Sequence, residues 1–381
     1  MDEASSARSG RWRPDTKSAG VRLFVDPDIR SASAIDARFY RDPALYALAA
    51  ERIFAKTWQW IGDIDDVVAA GSLSPRTLPP GLLDEPLLLS RDASGELHCL
   101  SNVCTHRGNL LVERACRATE MRCRYHSRRF DLRGRMTFMP GFDDALDFPS
   151  PTDDLPRIPF ASWAGLAFAS LSPATPFEDV MRDVTPRIEG ITPIASSSAP
   201  ARARDYEIAA HWALYVDNYL EGFHIPFVHP ELARVIDLGA YESELLAHGS
   251  LQIALAGDGE AVFDLPPAAR DHGRRIAAYY VWLFPNLMLN FYPWGLSVNL
   301  VLPVGIERTR VLFRSYVSDP SKLDQGAGGA LDVVEEQDEA IVEAVQRGVR
   351  SRLYRSGRYS PAHERGVHHF HRMISSYLER D

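Results

Sequence analysis

Two short segments of this sequence each place a cysteine close to a histidine. The first runs Cys104-Thr-His106, and after sixteen intervening residues the second runs Cys123-Arg-Tyr-His126. Two thiolates and two imidazoles can hold one tetrahedral zinc ion, or a [2Fe–2S] cluster in which two histidines replace two cysteines on one iron. Zinc motifs usually keep like ligands together in one loop, whereas each loop here brings one cysteine and one histidine. The spacing therefore favours the iron–sulfur cluster of the Rieske type.

The chain has only four cysteines, and all of them lie within 25 residues. In a cytoplasmic protein, cysteines clustered in this way are more often ligands or core residues than disulfides. Cys99 lies in a strand-like run, and Cys116 lies outside the ligand spacing. We expect both to be ordinary buried or partly exposed thiols.

A second group of ligands lies in the segment DNYLEGFHIPFVHPEL. Glu221 and His224 are three residues apart on a predicted helix, so they share one face. Pro226 disfavours a helical Ile225, and a bend there would bring His229 towards His224. Two imidazoles and one carboxylate suit Fe(II) and leave positions open for O₂. For the two histidines alone, hydrogen-bonded residues near a helix end are an equally good explanation.

A carboxylate further along the chain changes that balance. An amphipathic helix is predicted over about 330–354, and Asp338 falls on its apolar face. The other members of that face are predicted to be Ile341, Val342, Val345, Val349 and Leu353. A buried carboxylate needs a cation or strong donors, and an iron held by the two histidines supplies the cation. On or near the solvated face we expect Glu335, Glu336 and Glu339.

Length and composition limit the class of protein. A chain of 381 residues with 45% hydrophobic and 24% charged residues is an ordinary globular protein long enough for two domains. A formal charge of −9 argues against a nucleic-acid partner. No apolar run approaches the roughly 20 residues that span a bilayer, so we expect no membrane segment. The polar first 20 residues lack an apolar signal core, which predicts a cytoplasmic protein.

The order of helical and strand-like segments predicts an α+β protein in which a small antiparallel β domain is inserted into a larger catalytic domain. The expected divisions are a flexible arm (1–35), an N-terminal helix of the catalytic domain (36–57), the [2Fe–2S] domain (58–170) and the mononuclear iron domain (171–381). Short apolar runs with Gly, Pro and Asp punctuation fill the inserted region. Longer strand-like runs occupy 277–317.

With both ligand sets in view, the chain resembles the alpha subunits of Rieske-type non-haem iron oxygenases, the ring-hydroxylating oxygenase family, from about residue 36 onwards. The stretches VDNYLEGFHIPFVH, FPNLMLNFYPWGLSVNLVLPVG, AVQRGVRSRLYRSGRY and HHFHRMI look most like choline monooxygenases and related quaternary-amine oxygenases. The resemblance implies a helix-grip catalytic domain with a large antiparallel sheet. It also implies a homotrimer, a separate NAD(P)H-dependent reductase or ferredoxin, and O₂ as co-substrate.

The resemblance assigns roles to single residues. Cys104, His106, Cys123 and His126 correspond to the cluster ligands, and His224, His229 and Asp338 to the iron ligands. Glu221 matches a carboxylate that bridges the two centres across a subunit boundary, and Asn218 matches a residue beside the iron. The sequence departs from the family at Ser127-Arg128, where most members have Gly-Trp, at His211 in place of Asn, and at Phe223 in place of Tyr.

The expected reaction is hydroxylation or demethylation of a small organic substrate, with a quaternary amine and an aromatic ring as the two leading classes. Phe223, Phe291, Tyr292 and Trp294 are candidates for an aromatic-walled pocket, which suits either a trimethylammonium group or a flat ring. Ordinary sheet core explains these side chains equally well. A non-enzymatic electron carrier or a zinc-stabilised binding module fits only if the second iron site is absent.

Overall fold

The computed structural model describes residues 23–189, 191, 200–235, 239, 241–323, 325–328 and 331–379. Most of the expected N-terminal arm, residues 1–22, lies outside these ranges. The rest of that arm is packed, because Leu23, Val25, Ala32 and Ile35 are buried. These four apolar side chains join the core of the catalytic region, so the expectation of a flexible segment does not hold for residues 23–35.

The N-terminal helical region is built from three consecutive pieces. A 3-10 turn, Ala37–Tyr40, precedes helix α1 (Pro43–Ala49), which continues as one π-helical turn, Ala50–Phe54. Asp42 caps α1 by accepting a hydrogen bond from Ala44 N–H, and Pro43 occupies the first helical position, where no N–H is needed. This region packs against the catalytic region and precedes the small β region in the chain.

The small β region contains ten short strands. They are β1 (Gln59–Asp63), β2 (Ser72–Leu78), β3 (Glu85–Arg91), β4 (Leu97–Ser101), β5 (Cys116–Arg117), β6 (Met121–Arg122), β7 (Arg129–Phe130), β8 (Met136–Phe138), β9 (Phe160–Trp163) and β10 (Leu166–Ala169). They form three antiparallel sheets with the orders β4-β3-β2-β5, β6-β7-β8 and β1-β10-β9. Two 3-10 turns, Asp65–Val67 and Pro151–Asp153, lie between the strands.

The catalytic region is organised around a seven-stranded antiparallel sheet, which agrees with the expected large sheet. Its strands are β11 (Arg202–Ile208), β12 (Glu242–Leu246), β13 (Gly249–Leu255), β14 (Ile276–Leu283), β15 (Leu287–Tyr292), β16 (Gly295–Gly305) and β17 (Arg308–Val317). The spatial order is β11-β17-β16-β15-β14-β13-β12. Five consecutive strands, from β13 to β17, pair as neighbours with short connections except between β13 and β14.

Among the residues that the structure describes, seven further helices accompany this sheet. They are α2 (Phe177–Met181), α3 (Thr185–Ile188), α4 (Trp212–Tyr219), α5 (Ile225–Val228), α6 (Leu232–Val235), α7 (Leu331–Val349) and α8 (Arg365–Glu379), with 3-10 turns at Pro320–Lys322 and Gly326–Gly328. Buried residues of α4, α7 and α8 form one core with strand residues such as Trp282 and Met288. Helices α4 and α7 therefore meet over the sheet, where the second set of candidate ligands is found. None of the described helices combines the length and apolar character that crossing a membrane requires.

The long helix α7 presents a different inward face from the one expected. Asp338, Val342 and Val349 are buried as predicted, but Ile341 and Val345 are more than 40% exposed. The inward stripe includes Gln346, whose side-chain oxygen accepts a hydrogen bond from His211 N–H. Gln346, a polar residue with a buried hydrogen-bond partner, thus lies on the inward face where the apolar pattern predicted Ile341 and Val345. Leu353 lies beyond the end of α7 and is exposed.

Two candidate metal centres and an adjoining cavity

The two cysteine–histidine loops have closely similar backbones. In the first loop, Gly108 N–H donates to Cys104 O at 2.9 Å; in the second, Ser127 N–H donates to Cys123 O at 3.0 Å. Gly108 and Ser127 both have positive φ, 72° and 61°. A left-handed residue four positions after the cysteine closes each loop, and Ser127 adopts a conformation that glycine adopts more easily. The two loops thus present their cysteine and histidine from matching turns, and the two histidine rings lie next to each other.

The four side chains of these loops meet at one end of the small β region. Both thiols are buried in its core, at 2% exposure, while His106 and His126 are partly exposed with ring centroids 4.7 Å apart. Burial raises the pKa of the Cys104 thiol, and nearby Cys123 adds to that rise. Two thiols without a disulfide, at this depth, are the donors that an iron–sulfur cluster needs.

The spread of these ligands separates a cluster from a single ion. Among the described residues, two groups bring three potential ligand atoms within 4.8 Å of one another: His224–His229–Asp338 and Asp92–Glu96–His98. No three ligand atoms of Cys104, His106, Cys123 and His126 lie that close together. One tetrahedral zinc ion bonds its ligands at about 2.0–2.3 Å and would draw all four together. Two irons joined by sulfide accommodate the wider spacing, so the donor set fits the [2Fe–2S] cluster.

The segment that carries the second ligand set is not one helix. Helix α4 ends at Tyr219, so Glu221 and His224 lie in a tight corner before α5, contrary to the prediction that they share a helix face. Pro226 does not bend Ile225 out of the helix, because it occupies the first turn of α5, where proline is tolerated. Gly222 forms the corner: a Cβ there would lie 3.0 Å from the ring of Tyr241.

Glu221 holds this corner together. Its Oε2 accepts hydrogen bonds from Phe223 N–H and, at 3.1 Å, from His224 N–H, the free donors at the start of α5. Its Oε1 lies 2.7 Å from His224 Nδ1. The two side chains are thus adjacent, as expected, although a capped turn rather than a helix face brings them together.

Three side chains converge behind the corner. His229 Nε2 is 2.9 Å from Asp338 Oδ1, and His224 Nε2 is 3.6 Å from the same oxygen. Both histidines therefore direct Nε2 at one point beside a carboxylate that α7 supplies. His229 and Asp338 are buried, and His224 is 17% exposed at its side chain. Two imidazoles and one carboxylate at this separation fit an Fe(II) ion.

The other ring nitrogens of both histidines are engaged. His224 Nδ1 faces Glu221, and His229 Nδ1 lies 2.7 Å from Gln337 Oε1. An acceptor at Nδ1 fixes the proton there and leaves Nε2 as the free lone pair for a metal. Gln337 was not predicted from the sequence. Its position immediately before Asp338 was the only available signal.

A cavity of about 100 Å³ opens beside the three ligands. It lies between α4, α7 and the face of the large sheet. Asn218 lines it, as does Glu221. Five tyrosines also line it, on α4, on the sheet and in the segment between them: Tyr215, Tyr219, Tyr241, Tyr280 and Tyr292.

Hydrogen bonds keep several of these rings in place. Tyr219 O–H donates to Asn290 Oδ1 at 2.6 Å, and Tyr241 O–H donates to Gln252 Oε1 at 3.2 Å. Gln252 Nε2 in turn donates to Tyr219 O at 2.8 Å. Because their polar ends are held by the protein, these rings offer aromatic surface to whatever enters the cavity.

Glu335 lies in this cavity rather than on the solvated face where we expected it. It is three residues from Asp338 on α7, so it follows Asp338 to the inward side, and Tyr215 O–H donates to its Oε2 at 2.5 Å. Burial raises the pKa of Glu335 to about 8. A bound cation would oppose that effect and stabilise the carboxylate.

The aromatic residues expected in the pocket lie mostly elsewhere. Phe223 is 45% exposed and stacks on His363 at 4.7 Å between centroids. Phe291 is in the sheet core, and Trp294 is buried against Tyr292, with centroids 5.0 Å apart. Of the four candidates, Tyr292 lines the cavity. Strand alternation directs Phe291 to the opposite face of the sheet from Tyr292 and Tyr280.

The group Asp92–Glu96–His98 is better explained as a turn than as a metal site. Asp92 Oδ1 accepts hydrogen bonds from Ser94 and Glu96 N–H at 2.8 and 3.0 Å. Its Oδ2 lies 2.7 Å from Arg133 Nε and 3.1 Å from His98 Nε2. The carboxylate is already satisfied, and a guanidinium supplies the cation.

Two family models match separate parts of the chain. The Rieske [2Fe-2S] domain matches residues 57–151, and the ring-hydroxylating alpha subunit catalytic domain matches residues 196–380. The chain is a Rieske oxygenase alpha subunit. This Rieske oxygenase subunit belongs to a family that carries a Rieske [2Fe–2S] cluster and a mononuclear iron, uses O₂, takes electrons from a partner and acts on small molecules.

Two similar proteins are named as monooxygenases of the quaternary amines choline and carnitine. The chain is 28% identical to the chloroplastic choline monooxygenase of Arabidopsis thaliana over 375 residues, which is 93% of this chain and 85% of the relative. It is 27% identical to the carnitine monooxygenase oxygenase subunit of Escherichia coli K12 over 364 residues, 92% of this chain and 95% of the relative. The Rieske oxygenase subunit is therefore close to the quaternary-ammonium oxygenases.

Solved structures share the fold. The quaternary ammonium Rieske monooxygenase CntA in complex with L-carnitine aligns over 91% of this chain and 96% of its own, with a TM-score of 0.72 and 23% identity. Naphthalene 1,2-dioxygenase from Rhodococcus sp. aligns over 90% and 93%, with a TM-score of 0.66 and 18% identity. The α+β fold with a small Rieske domain and a large antiparallel sheet is thus common to both structures.

Proposed function

We propose that this Rieske oxygenase subunit oxidises a small molecule bearing a quaternary ammonium group. The observation that carries the proposal is the cavity beside His224, His229 and Asp338. Tyrosine faces attract a trimethylammonium group through cation–π interaction, and the bound cation opposes the effect of burial on the pKa of Glu335, so that its carboxylate carries the opposite charge. An aromatic hydrocarbon would gain from the rings but would offer no positive charge to the carboxylate of Glu335.

We further propose which residues hold the two centres. Cys104, His106, Cys123 and His126 hold the cluster within a domain spanning 58–170. His224, His229 and Asp338 hold the mononuclear iron within a domain spanning 171–381, to which residues 36–57 add a helical layer. The buried thiols and the convergent Nε2 atoms support these assignments.

The chain's own residues prepare the iron site for chemistry. When bound, the cluster supplies single electrons, and iron with O₂ supplies the oxidising power. Glu221 and Gln337 hold the Nδ1 protons of the two histidines, which keeps both rings oriented. Asn218 lies at the wall of the cavity, close to the same corner. The tyrosines exclude water and orient the substrate so that a methyl group faces the ligands.

The overall reaction balances with two electrons and one O₂. One oxygen atom enters a C–H bond of the substrate, and the other leaves as water with two protons. If the oxidised carbon is an N-methyl group, the resulting N–CH₂OH breaks its C–N bond and releases formaldehyde and a tertiary amine. If it is another carbon bonded to nitrogen, the C–N bond breaks in the same way and releases a tertiary amine and an aldehyde; if the carbon is not bonded to nitrogen, the hydroxylated product remains.

An electron donor, an NAD(P)H-dependent reductase or a ferredoxin, is proposed to dock on the small β region. Residues 104–135 contain nine arginines and three acidic residues, in a chain whose formal charge is −9. Most of these arginines are exposed, including Arg107, Arg122 and Arg124 beside the cluster loops. A positive surface around the cluster attracts an acidic partner and speeds its association.

We propose that the chain works as a homotrimer in which the cluster of one subunit serves the iron of its neighbour through Glu221. Large apolar side chains are exposed beside both centres: Phe223 and Phe227 next to Glu221, and Leu110 and Tyr125 next to the cluster loops. Exposed apolar groups of this size are typical of protein–protein contacts. They support two surfaces that cover each other in an oligomer.

A single turnover tests the substrate class. The anaerobically reduced protein, with cluster and iron quantified, is mixed with O₂ and with choline, carnitine and other trimethylammonium compounds, and products are read by mass spectrometry. We expect gain of one oxygen atom, or loss of a methyl group as formaldehyde. Product from aromatic hydrocarbons or aromatic acids, with none from the trimethylammonium compounds, would contradict the proposal and favour the aromatic-ring dioxygenase alternative.

A further inference from the structure

An arginine is buried directly behind the cluster loops. Arg128 follows Ser127 in the second loop, and its side chain is 2% exposed. Its guanidinium lies between two aromatic rings, 5.5 Å from the centroid of Phe148 and 6.0 Å from that of Phe130. A guanidinium so deeply buried is costly unless its charge is used or compensated.

Arg128 ties the two loops together. Its backbone oxygen accepts a hydrogen bond from Cys123 N–H at 2.8 Å, which closes the second loop. Its Nη1 donates to Thr105 Oγ1 at 3.0 Å, and Thr105 lies between the two candidate ligands of the first loop. The guanidinium is thus fixed to the residue between the two candidate ligands of the first loop, while its own backbone lies two residues after His126 in the second loop.

The carboxylate that compensates this charge is itself partly exposed to solvent. Nη2 contacts Asp153 Oδ1 at 2.5 Å, but the Asp153 side chain is 20% exposed, ten times the exposure of the arginine. Nε of Arg128 is buried and has no hydrogen-bond partner among the described residues. Solvent screens the carboxylate more than the guanidinium, so a net positive field remains at the loops.

We propose that Arg128 is a positioning residue that raises the reduction potential of the cluster. One-electron reduction adds a negative charge to the cluster, and a fixed, buried cation stabilises that added charge. Net charge and hydrogen bonding around a cluster are recognised determinants of its potential. Asp153 opposes the effect, so Arg128 and Asp153 together set the value. The inference rests on the proposed assignment of the cluster ligands.

The test is a redox titration of the intact protein, with the reduced cluster followed by its electron paramagnetic resonance signal. Arg128→Met keeps the length of the side chain and removes the charge. We expect the ratio of reduced to oxidised cluster at a fixed potential to fall about tenfold, which is about 59 mV for one electron. Asp153→Asn removes the opposing charge and should raise the ratio. Arg128→Lys keeps the charge and should leave it near that of the unchanged protein.

The ratio of reduced to oxidised cluster is expected to fall in Arg128→Met and to rise in Asp153→Asn, and these opposite changes separate a charge effect from a packing effect. A loosened loop would move both variants in one direction, and that result would overturn the proposal, as would an unchanged ratio in Arg128→Met with a full cluster. If Arg128→Met fails to hold its cluster, Asp153→Asn decides: a raised ratio supports the proposal and an unchanged one overturns it. Absence of any Rieske signal in the unchanged protein would instead refute the ligand assignment.

Discussion

His224 and His229 each have one ring nitrogen engaged by a neighbouring side chain and the other directed at Asp338. Imidazoles oriented in this way bind a metal with little loss of side-chain entropy. Asp338 adds the negative charge that favours a divalent cation. We therefore expect Asp338 to be needed for mononuclear iron, and it lies far along the sequence from the cysteine–histidine loops.

Asp338→Ala tests this division of labour. We expect iron to fall from about three per chain to about two, with sulfide and the visible spectrum of the cluster unchanged, since only the mononuclear ion loses a ligand. Iron and acid-labile sulfide analysis of the purified variant provides the measurement. Glu336→Ala, which removes an exposed carboxylate from the same helix, is the matched control. Full iron content in Asp338→Ala would refute the ligand assignment.

Glu335→Gln tests the proposed cation subsite. The substitution keeps size and the hydrogen bond from Tyr215 but removes the negative charge available to a quaternary ammonium group. We expect the Kd of a trimethylammonium substrate to rise about tenfold, or 1.4 kcal/mol, while a neutral isostere with a tert-butyl group binds as before. Calorimetry of both ligands measures the difference. Equal losses for the two ligands would indicate a general disturbance of the cavity.

Sequence reasoning proposed candidate ligands more easily than it proposed the lining of the cavity. Cysteine and histidine at close spacing are rare enough to identify candidates such as Cys104 and His106 directly. The tyrosines come from distant strands and helices, so only the fold brings Tyr215 and Tyr280 to one wall. Phe223 and Trp294 resembled pocket residues by type, but the direction of each side chain depends on a corner or strand register that residue type does not encode.

At the level of elements, helix α4 shows how local burial constrains the site. His211 precedes the helix as its cap, is fully buried, and has its Nδ1 accepting a hydrogen bond from Ala213 N–H. Its backbone N–H donates to Gln346 on α7. The cap therefore joins the two helices that carry Asn218, Glu221 and Asp338 or lead into them.

His211, which caps helix α4, makes the stability of the folded protein sensitive to acid. Burial lowers the pKa of His211 to about 3, against 6.5 for an ordinary histidine. Below the unfolded pKa the unfolded chain binds a proton that the folded chain does not. Stability is therefore lost as pH falls below about 6.5, with a loss of about 2 kcal/mol from this residue by about pH 5.

His211→Asn should flatten this dependence, because asparagine also caps helices and does not titrate. Urea unfolding at about pH 7 and about pH 5 gives the loss of unfolding free energy for each protein. We expect the variant to lose about 2 kcal/mol less than the unchanged chain between those pH values. Other buried histidines contribute equally to both proteins and cancel in the comparison. An identical loss in both would show that His211 is not the sensitive group.

Element boundaries were predicted unevenly. The helical spacing of apolar residues predicted α7 itself. Glu335 and Gln346 nevertheless face inward, because each forms a hydrogen bond with a buried partner, and the spacing of apolar residues cannot predict such partners. The corner after α4 was missed for a related reason: Glu221 caps α5 from outside the helix. The large antiparallel sheet was easier, since long β-branched and aromatic runs are typical of buried strands.

Across the whole molecule, charge and exposed apolar surface are unevenly distributed. The total charge of −9 conceals an arginine-rich region around the cluster loops. Exposed Tyr125 and Leu110 lie in that region, while exposed Phe223 and Phe227 lie beside the candidate iron site. Surfaces of this kind at both centres are what an oligomer needs if the cluster of one copy is to reach the iron of another.

Mixed oligomers test that arrangement. A chain with His106→Ala lacks a cluster, and a chain with Asp338→Ala lacks mononuclear iron, so neither should turn over alone. If electrons pass between subunits, co-expressed chains will pair an intact cluster with an intact iron across an interface. For a cyclic trimer formed at random from equal amounts, about a quarter of the interfaces have that pairing, so we expect up to about a quarter of the normal rate.

The measurement is substrate-dependent O₂ consumption by the co-expressed protein, with native mass spectrometry to count each chain in the oligomer. Two chains purified separately and kept apart are the control, and each should be inactive. Trimers that contain both chains yet remain inactive would show that each subunit uses its own cluster. Recovery that is lost when Glu221→Gln is added to the cluster-deficient chain would place the crossing point at the carboxylate beside His224, because that chain is the one whose iron receives the electron.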